Sequence, residues 1–411
     1  MGFEFNIASR MKSGSDNKGK SAPSLSIAII GMTMAIAIMI LSIIVVQGFK
    51  GEISSKIYNL DSHIKVRPFN NIGENLNSLK VDSSLIQFIN SDNYDIKSIS
   101  LIAEKSAVLK TNSDFKGVYL KGVDKAYDFE SFDRMLVDGR LPNVSDSVIN
   151  NEILISKKIA NSLKLNVGDK VMTYFIDKNV KLRKLMICGI YQSDFEDFDN
   201  NYIIGDINII QSVNHLEDSS GDYIGIKCND IKDIEDYSFN LSQRLFESEE
   251  YGGKYIVSNT YMTNTSYFTW LNLLDMNVVV IIIIMLLVTM FTLISGMLLI
   301  VLERVNMVGI LKSMGANNRS IRKIFIYATN KLIFKSMFYG NIVALGLALL
   351  QDKFHFIKLD AEAYYVSYVP VDINWVYILL LNIAIIVISY LSLLIPSHIV
   401  STIKPTKSIK F

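Results

Sequence analysis

Residues 25–46, from Leu25 to Val46, read LSIAIIGMTMAIAIMILSIIVV and lie inside a run of 29 positions, 21–49, without a charged side chain. A bilayer core about 30 Å thick needs about 20 helical residues, so this stretch is long enough to span one. Outward from it, a second uncharged run of 27 residues covers 276–302, and an apolar stretch near the end covers Ile373 to Ile395. Between these two, the uncharged run Ser336 to Gln351 has only 16 residues. It reaches spanning length when Lys331 and Lys335 sit at the interface and extend outward, because a charge at mid-bilayer would cost roughly 2.5–3.5 kcal/mol. The expected fold class is an α-helical membrane protein with four spans, one plus three, at 25–47, 275–302, 329–351 and 373–395. A purely soluble enzyme is excluded. A cleaved signal peptide does not fit the first span, whose apolar core exceeds the usual length of about 7–15 residues and which no small-x-small site follows.

The chain of 411 residues carries 41 basic and 40 acidic side chains; a net charge so near zero gives no reason to expect a nucleic-acid partner. The charges are unevenly placed. Residues 1–20 hold four basic and two acidic groups, 303–335 seven and one, and 396–411 three and none. The long segment 50–275 instead holds 25 basic and 33 acidic groups, and 352–372 two and four. Basic flanks stay cytoplasmic, so segments 1–24, 303–328 and 396–411 are expected inside, and 48–274 and 352–372 outside.

The outer segment alternates strand-like runs with helical ones, a mixed α+β pattern. Strands are expected at His63–Arg67, Ser106–Lys110, Gly117–Gly122, Ile153–Ser156, Lys170–Ile176, Lys184–Tyr191, Tyr202–Ile204 and Tyr223–Lys227, and helices at Asp82–Asn90, Ser156–Leu163, Asp206–Val213 and about Ile231–Ser248. Ser156 and Asp206 are expected N-caps. Little here suggests chemistry. The four histidines, His63, His215, His355 and His398, are scattered, with no metal-ligand spacing. The acidic run Asp194, Glu196, Asp197, Asp199 lacks the glycine of a calcium loop and reads as a solvated loop. Cys188 and Cys228 both fall in apolar strand contexts, where a disulfide and two buried thiols are both open readings. No cofactor is expected. Gly14 to Ser21 fits the phosphate-loop pattern letter for letter, but that loop needs a preceding buried strand and a following helix in an α/β core. A membrane stretch follows within a few residues, so a basic connector is the better reading.

The loop Glu303-Arg-Val-Asn-Met-Val-Gly-Ile-Leu-Lys-Ser-Met-Gly-Ala316 carries the strongest signal. Met307, Ile310, Leu311 and Met314 fall at i, i+3, i+4 and i+7, an apolar stripe on a short helix. Gly315 suits the left-handed residue that ends it, and Asn317 or Asn318 suits the cap of a second helix through Ile321, Ile324 and Phe325 into the third span. Such a stripe is buried on lipid headgroups or in a groove of a cytoplasmic partner.

This loop, the one-plus-three layout and the closing Pro396-Ser-His and Lys404-Pro405-Thr-Lys-Ser-Ile resemble the FtsX-like permeases of ABC transporters. Ile27-Ala-Ile-Ile-Gly-Met-Thr, Gln47-Gly-Phe-Lys, Asn151-Glu-Ile-Leu-Ile-Ser-Lys-Lys-Ile-Ala, Leu165-Asn-Val-Gly-Asp-Lys-Val and Phe198-Asp-Asn-Asn-Tyr-Ile-Ile resemble most the lipoprotein-releasing (LolC/LolE-type) permease subunits. The resemblance implies a MacB-like periplasmic core domain over 48–274, an inner-membrane location, and a non-catalytic chain paired with a second permease subunit and driven by a separate cytoplasmic ATPase. It further implies a lipoprotein cargo passed to a periplasmic lipoprotein chaperone. Burial in lipid is worth about 0.8 kcal/mol per CH₂, so three acyl chains are held by on the order of 30–40 kcal/mol, which is why ATP is needed. In this reading Met307, Gly309, Ile310, Leu311, Lys312, Met314 and Gly315 form the ATPase-coupling helix. Gly31, Ala35 and Phe49 are substrate-path candidates, although Gly31 and Ala35 at i, i+4 equally suit packing between helices of one chain. Phe175, Asp177, Lys178 and Asn179 form the chaperone-facing hairpin; only about ten residues, Tyr174 to Lys184, join its strands, shorter than the hook of the chaperone-docking subunits. The alternatives are an FtsX-like mechanotransmission permease acting on a cell-wall hydrolase, and a MacB-like efflux permease.

Overall fold

The structure, a computed structural model, describes residues 23–69, 79–80, 83–91, 94–145, 149–176, 180–216 and 220–401. The chain divides into two units, one formed by Met1–Gly51, Trp270–Lys358 and Tyr368–Phe411, the other by Glu52–Thr269 and Leu359–Ser367.

Among the described residues, four helices are long and apolar enough to cross a membrane: Pro23–Leu60, Thr265–Glu303, Asn318–Phe354 and Trp375–Ser401. Two run further than the uncharged stretches suggest. Beyond Lys50, Ile53, Ile57 and Leu60 are buried at i, i+4 and i+7, so an amphipathic pattern continues the first helix where the apolar run stops. The third helix starts at Asn318 because buried Ile321, Ile324 and Phe325 give its polar first turns an apolar face. In the first unit, Met32, Ile36 and Ile40 pack into one core with Leu293, Met297 and Val301, Phe325 and Ile333, and Ile378, Leu381 and Ile385. Polar side chains join the last two long helices. The amides of Asn341 and Asn382 donate to each other's oxygens at 2.9 and 3.1 Å, and Asn330 donates to the Tyr390 hydroxyl at 2.8 Å, the kind of bond that substitutes for hydrophobic drive between helices in lipid. Lys50 and Asp275 pair at 2.6 Å. A Cβ at Gly48 would lie 2.7 Å from the Pro370 carbonyl oxygen, so only glycine permits that approach.

The second unit is α+β. Its strands are β1 (Ile64–Pro68), β2 (Leu79–Lys80), β3 (Ile96–Lys110), β4 (Phe115–Val123), β5 (Leu136–Gly139), β6 (Glu152–Ser156), β7 (Lys170–Phe175), β8 (Lys181–Tyr191), β9 (Tyr202–Asp206), β10 (Ser220–Gly221), β11 (Tyr223–Cys228) and β12 (Tyr255–Asn259). Ten of them form one sheet in the order β12-β1-β11-β3-β4-β9-β6-β8-β5, with β7 bridging β3 and β8. The pairings β3-β4-β9-β6-β8-β7-β3 therefore close a ring of six strands without an edge of its own, while β12 and β5 end the sheet. Alternate side chains such as Val66, Leu109, Leu120, Ile155 and Ile187 enter a core shared with Leu85, Ile159, Ile210 and Leu241 of helices. Both expected caps are made: the Ser156 hydroxyl accepts from the Ile159 N–H at 3.1 Å, and the Asp206 carboxylate from the Asn208 N–H at 2.9 Å.

One expectation is corrected and one open reading is decided. The acidic run is a short helix, Glu196–Asn201, and Asp199 is buried, accepting from the Ser193 hydroxyl at 2.6 Å. Cys188 and Cys228 are both free and buried, on β8 and β11, strands that are not neighbours in the sheet. Within the segment 352–372, Leu359–Ser367 folds with the second unit. The phosphate-loop match at 14–21 lies outside the described residues.

Candidate functional site

The loop after the second long helix folds into the helix Val305–Ser313. Its end is a full left-handed stop. Gly315 has φ +88°, its N–H donates to the Lys312 carbonyl at 3.0 Å, and the Ala316 N–H donates to Leu311 at 2.9 Å. Asn317, rather than Asn318, then caps the next helix, its side chain accepting from the Arg319 N–H.

The expected stripe divides in two. Val308 and Gly309 are buried and Met307 packs on the same core, while Leu311 and Lys312 are half-buried. Ile310 and Met314 are 54% and 78% exposed. They stand one turn apart, so together they present an apolar ridge outward. Covering both would contribute roughly 3–5 kcal/mol. Periodicity found the helix but not which of its apolar residues its own chain would bury, because that depends on the helices beneath.

The path candidates all lie in packing within the chain. A Cβ at Gly31 would meet Thr292 of the second long helix at 3.8 Å, Ala35 is buried, and the Phe49 ring stands edge-on to Trp270 with centroids 5.9 Å apart. The exposed flank of the first helix carries Ile27, Ile30, Met34 and Ile38, spaced three and four residues apart. In the hairpin, Phe175 is fully buried, so it faces the core and not a partner. Asp177, Lys178 and Asn179 lie outside the described residues.

Within the second unit, four separate segments meet at Tyr365. The Lys56 ammonium donates to its carbonyl at 3.0 Å, and the rings of Phe195 and Tyr267 lie 5.1 and 5.9 Å from its ring. The Tyr267 hydroxyl donates to Asp197, and Ser367 donates to Asp194 at 3.3 Å. Beside this cluster, the last carbonyls of the first long helix receive lysines from the sheet. Lys227 donates to Asn59 at 3.2 Å and Lys121 to Leu60 at 3.5 Å, the favoured placement for cations at a helix C-terminus. Burial would raise the Asp61 carboxyl, but Lys121 at 3.4 Å and Lys65 at 2.5 Å, with the Ser62 N–H, hold it well below the usual carboxylate range. Burial lowers the Lys227 ammonium to about 8 despite Asp128 at 3.6 Å. Burial, with Lys227 nearby, lowers His63 to about 4; its Nδ1 accepts from the Cys228 N–H at 3.0 Å. Apart from the acidic run that supplies Asp194 and Asp197, nothing in the sequence marks this cluster, because its members are spread over residues 56–367. Among the described residues, no group of three or more His, Cys, Asp or Glu is placed to hold a metal ion.

The family of MacB-like periplasmic core domains matches residues 25–244, and the FtsX-like permease C-terminal family matches residues 279–405. The lipoprotein-releasing system transmembrane protein LolC of Neisseria meningitidis serogroup B is 20% identical over 405 residues, covering 94% of this chain and 93% of that one. The corresponding LolE of Haemophilus influenzae is 21% identical over 437 residues, covering 99% of each. Among solved structures, the periplasmic region of MacB from Actinobacillus actinomycetemcomitans is 16% identical, covering 51% of this chain and 95% of that one with a TM-score of 0.36.

Proposed function

Because the chain belongs to the FtsX-like ABC transporter permeases that carry a MacB-like periplasmic core domain, we propose that it is the membrane subunit through which a separate ATPase drives lipoproteins out of the inner membrane toward the outer membrane. The carrying observation is the pair Ile310 and Met314, apolar and exposed on a helix whose other face is fixed to its own chain. A groove on a cytoplasmic ATPase subunit would cover that pair. In this reading the loop and both termini are cytoplasmic and the domain 48–274 is periplasmic. ATP hydrolysis belongs to the partner chain, and a second permease subunit completes the complex.

Coverage of most of the chain by relatives named for lipoprotein release supports the cargo. The short hairpin and the buried Phe175 make the described part of that hairpin a poor chaperone contact, which favours a subunit whose partner permease receives the chaperone. The test is reconstitution in proteoliposomes with the ATPase and a triacylated lipoprotein. ATP-dependent transfer of the lipoprotein to a soluble chaperone is the expected result. ATP turnover without transfer, or depletion that leaves outer-membrane lipoproteins correctly placed, would overturn the cargo.

A further inference from the structure

A cavity of about 450 Å³ in the second unit is lined in part by Lys65, Arg67, Glu104, Tyr119 and Lys121. Along β1, β3 and β4 these residues alternate with the core side chains Val66, Ala103 and Leu120, so they share the sheet's other face. The end of the first long helix, through Ile57 and Leu60, and the Asp197–Tyr202 and Asn264–Tyr267 segments complete the wall.

Its charges are unequally satisfied. Lys65 and Lys121 both hold Asp61. Glu104 accepts from the Tyr223 hydroxyl at 2.7 Å through one oxygen, and Asp197 accepts from Tyr267. Each carboxylate keeps lone pairs to offer. The Arg67 guanidinium makes no hydrogen bond or ion pair among the described residues; it feels the charge of Asp222, and its carbon stands 5.1 Å from the Tyr223 ring centroid. The rings of Tyr119 and Tyr202 lie 5.7 Å apart, and neither hydroxyl has a hydrogen bond among the described residues. One end therefore presents a guanidinium whose N–H donors are unused among the described residues, and the other presents carboxylates and aromatic faces.

We propose that this cavity binds a zwitterion bearing a phosphate or phosphodiester and a primary ammonium, with the phosphate on Arg67 and the ammonium between Glu104 and the Tyr119–Tyr202 pair. A guanidinium matches phosphate oxygens in a fork, and an ammonium over tyrosine faces beside a carboxylate is held by both charge and ring quadrupole. A lone anion fits less well, since the wall carries Asp61, Glu104 and Asp197 against Lys65, Arg67 and Lys121. The volume lies within the range of about 300–1,000 Å³ usual for small-ligand sites. The chemistry is that of a phosphoethanolamine headgroup, whether on a lipid or free in solution, and it holds whatever cargo the chain moves.

Titration calorimetry of the full chain in detergent micelles tests it, with glycerophosphoethanolamine as probe and inorganic phosphate and ethanolamine as separate controls. Saturable binding is expected, at least tenfold tighter than either control and at least tenfold weaker in Arg67→Gln. Arg67 is exposed, so that variant keeps the wild-type thermal midpoint; Tyr119→Leu, also at an exposed position, is the second variant and weakens binding through the ammonium end. Competition by nanodiscs of phosphatidylethanolamine but not phosphatidylglycerol assigns the lipid form, and failure of both to compete assigns the soluble form; either supports the zwitterion. No saturation, equal affinity for inorganic phosphate, or unchanged binding in both variants overturns it.

Discussion

On the helix Val305–Ser313 two apolar side chains, Ile310 and Met314, stay in the open, whereas around Asp61 the charged groups Lys65, Lys121 and Lys227 are withdrawn from solvent. Each arrangement runs against the usual partition of apolar inside and charged outside. The exposed pair leaves hydrophobic free energy unrealised, which the proposed ATPase contact would recover. The buried charges are neutralised by partners inside their own unit, where they tie residues 52–61 to the sheet. The contrast sets an uncovered surface against an internally satisfied one, and it can be broken from either side.

The largest effect is expected from Ile310→Glu combined with Met314→Glu. Both positions are exposed, so the thermal midpoint of the purified chain should move by less than about 2 °C, while two charges in an apolar groove should lower affinity for the ATPase at least a hundredfold, about 3 kcal/mol. Co-purification and ATPase stimulation measure it; undiminished assembly would remove the docking half of the contrast. The reciprocal change, Lys121→Met, takes one of two cations from the half-buried Asp61 carboxylate and leaves it Lys65. It should destabilise the second unit by roughly 1–3 kcal/mol, read as an earlier denaturant midpoint, with ATPase affinity intact.

The two regions were unequally legible in sequence for a physical reason. The short helix is local: its period, its glycine stop and its asparagine cap all lie within fifteen residues of one another, and all three formed as their spacing implies. Only its open face escaped, since burial of Val308 is decided by helices distant in the chain. The charged cluster is non-local. Asp61, Lys121 and Lys227 each occupy a strand or helix-end position where a charge reads as a solvated face, and only the sheet order brings them together. The Asn341–Asn382 amide pair and the closure of the six-strand ring through β7 escaped in the same way.

Proton linkage gives the next test and bears on the charged cluster alone. The folded His63 imidazole takes its proton only near pH 4, against an ordinary 6.5. Between those values the unfolded chain binds more protons, so stability falls as pH drops through 6.5 and levels off below 4. The expected loss is roughly 2–3 kcal/mol, followed by denaturant midpoints at pH 7, 5.5 and 4.5, and flattened in His63→Gln. Lys227, lowered from 10.5 to about 8, has the same sign at the alkaline end, stability rising between those values. A pH response of ATPase docking in place of domain stability would mean that the two regions are not separate.

The smallest effect concerns the glycine stop. Gly315 at φ +88° occupies a conformation that a Cβ disfavours by roughly 1–2 kcal/mol. Nothing lies within 4 Å of a Cβ built there, so Gly315→Ala introduces backbone strain without a clash. Asparagine tolerates the left-handed region better than alanine, and Gly315→Asn should therefore fall between the two. Strain at this point frays the turn that holds Leu311 and Met314, which should speed hydrogen exchange at the Ala316 amide and weaken ATPase binding by a few-fold. The denaturant midpoint of the second unit should stay where it is, because Gly315 belongs to the first unit and contributes nothing to the charged cluster around Asp61. If alanine and asparagine weaken docking equally, the cost arises from the added side chain at the partner's surface and not from the backbone, and the ridge would then extend past Met314 to include Gly315 itself.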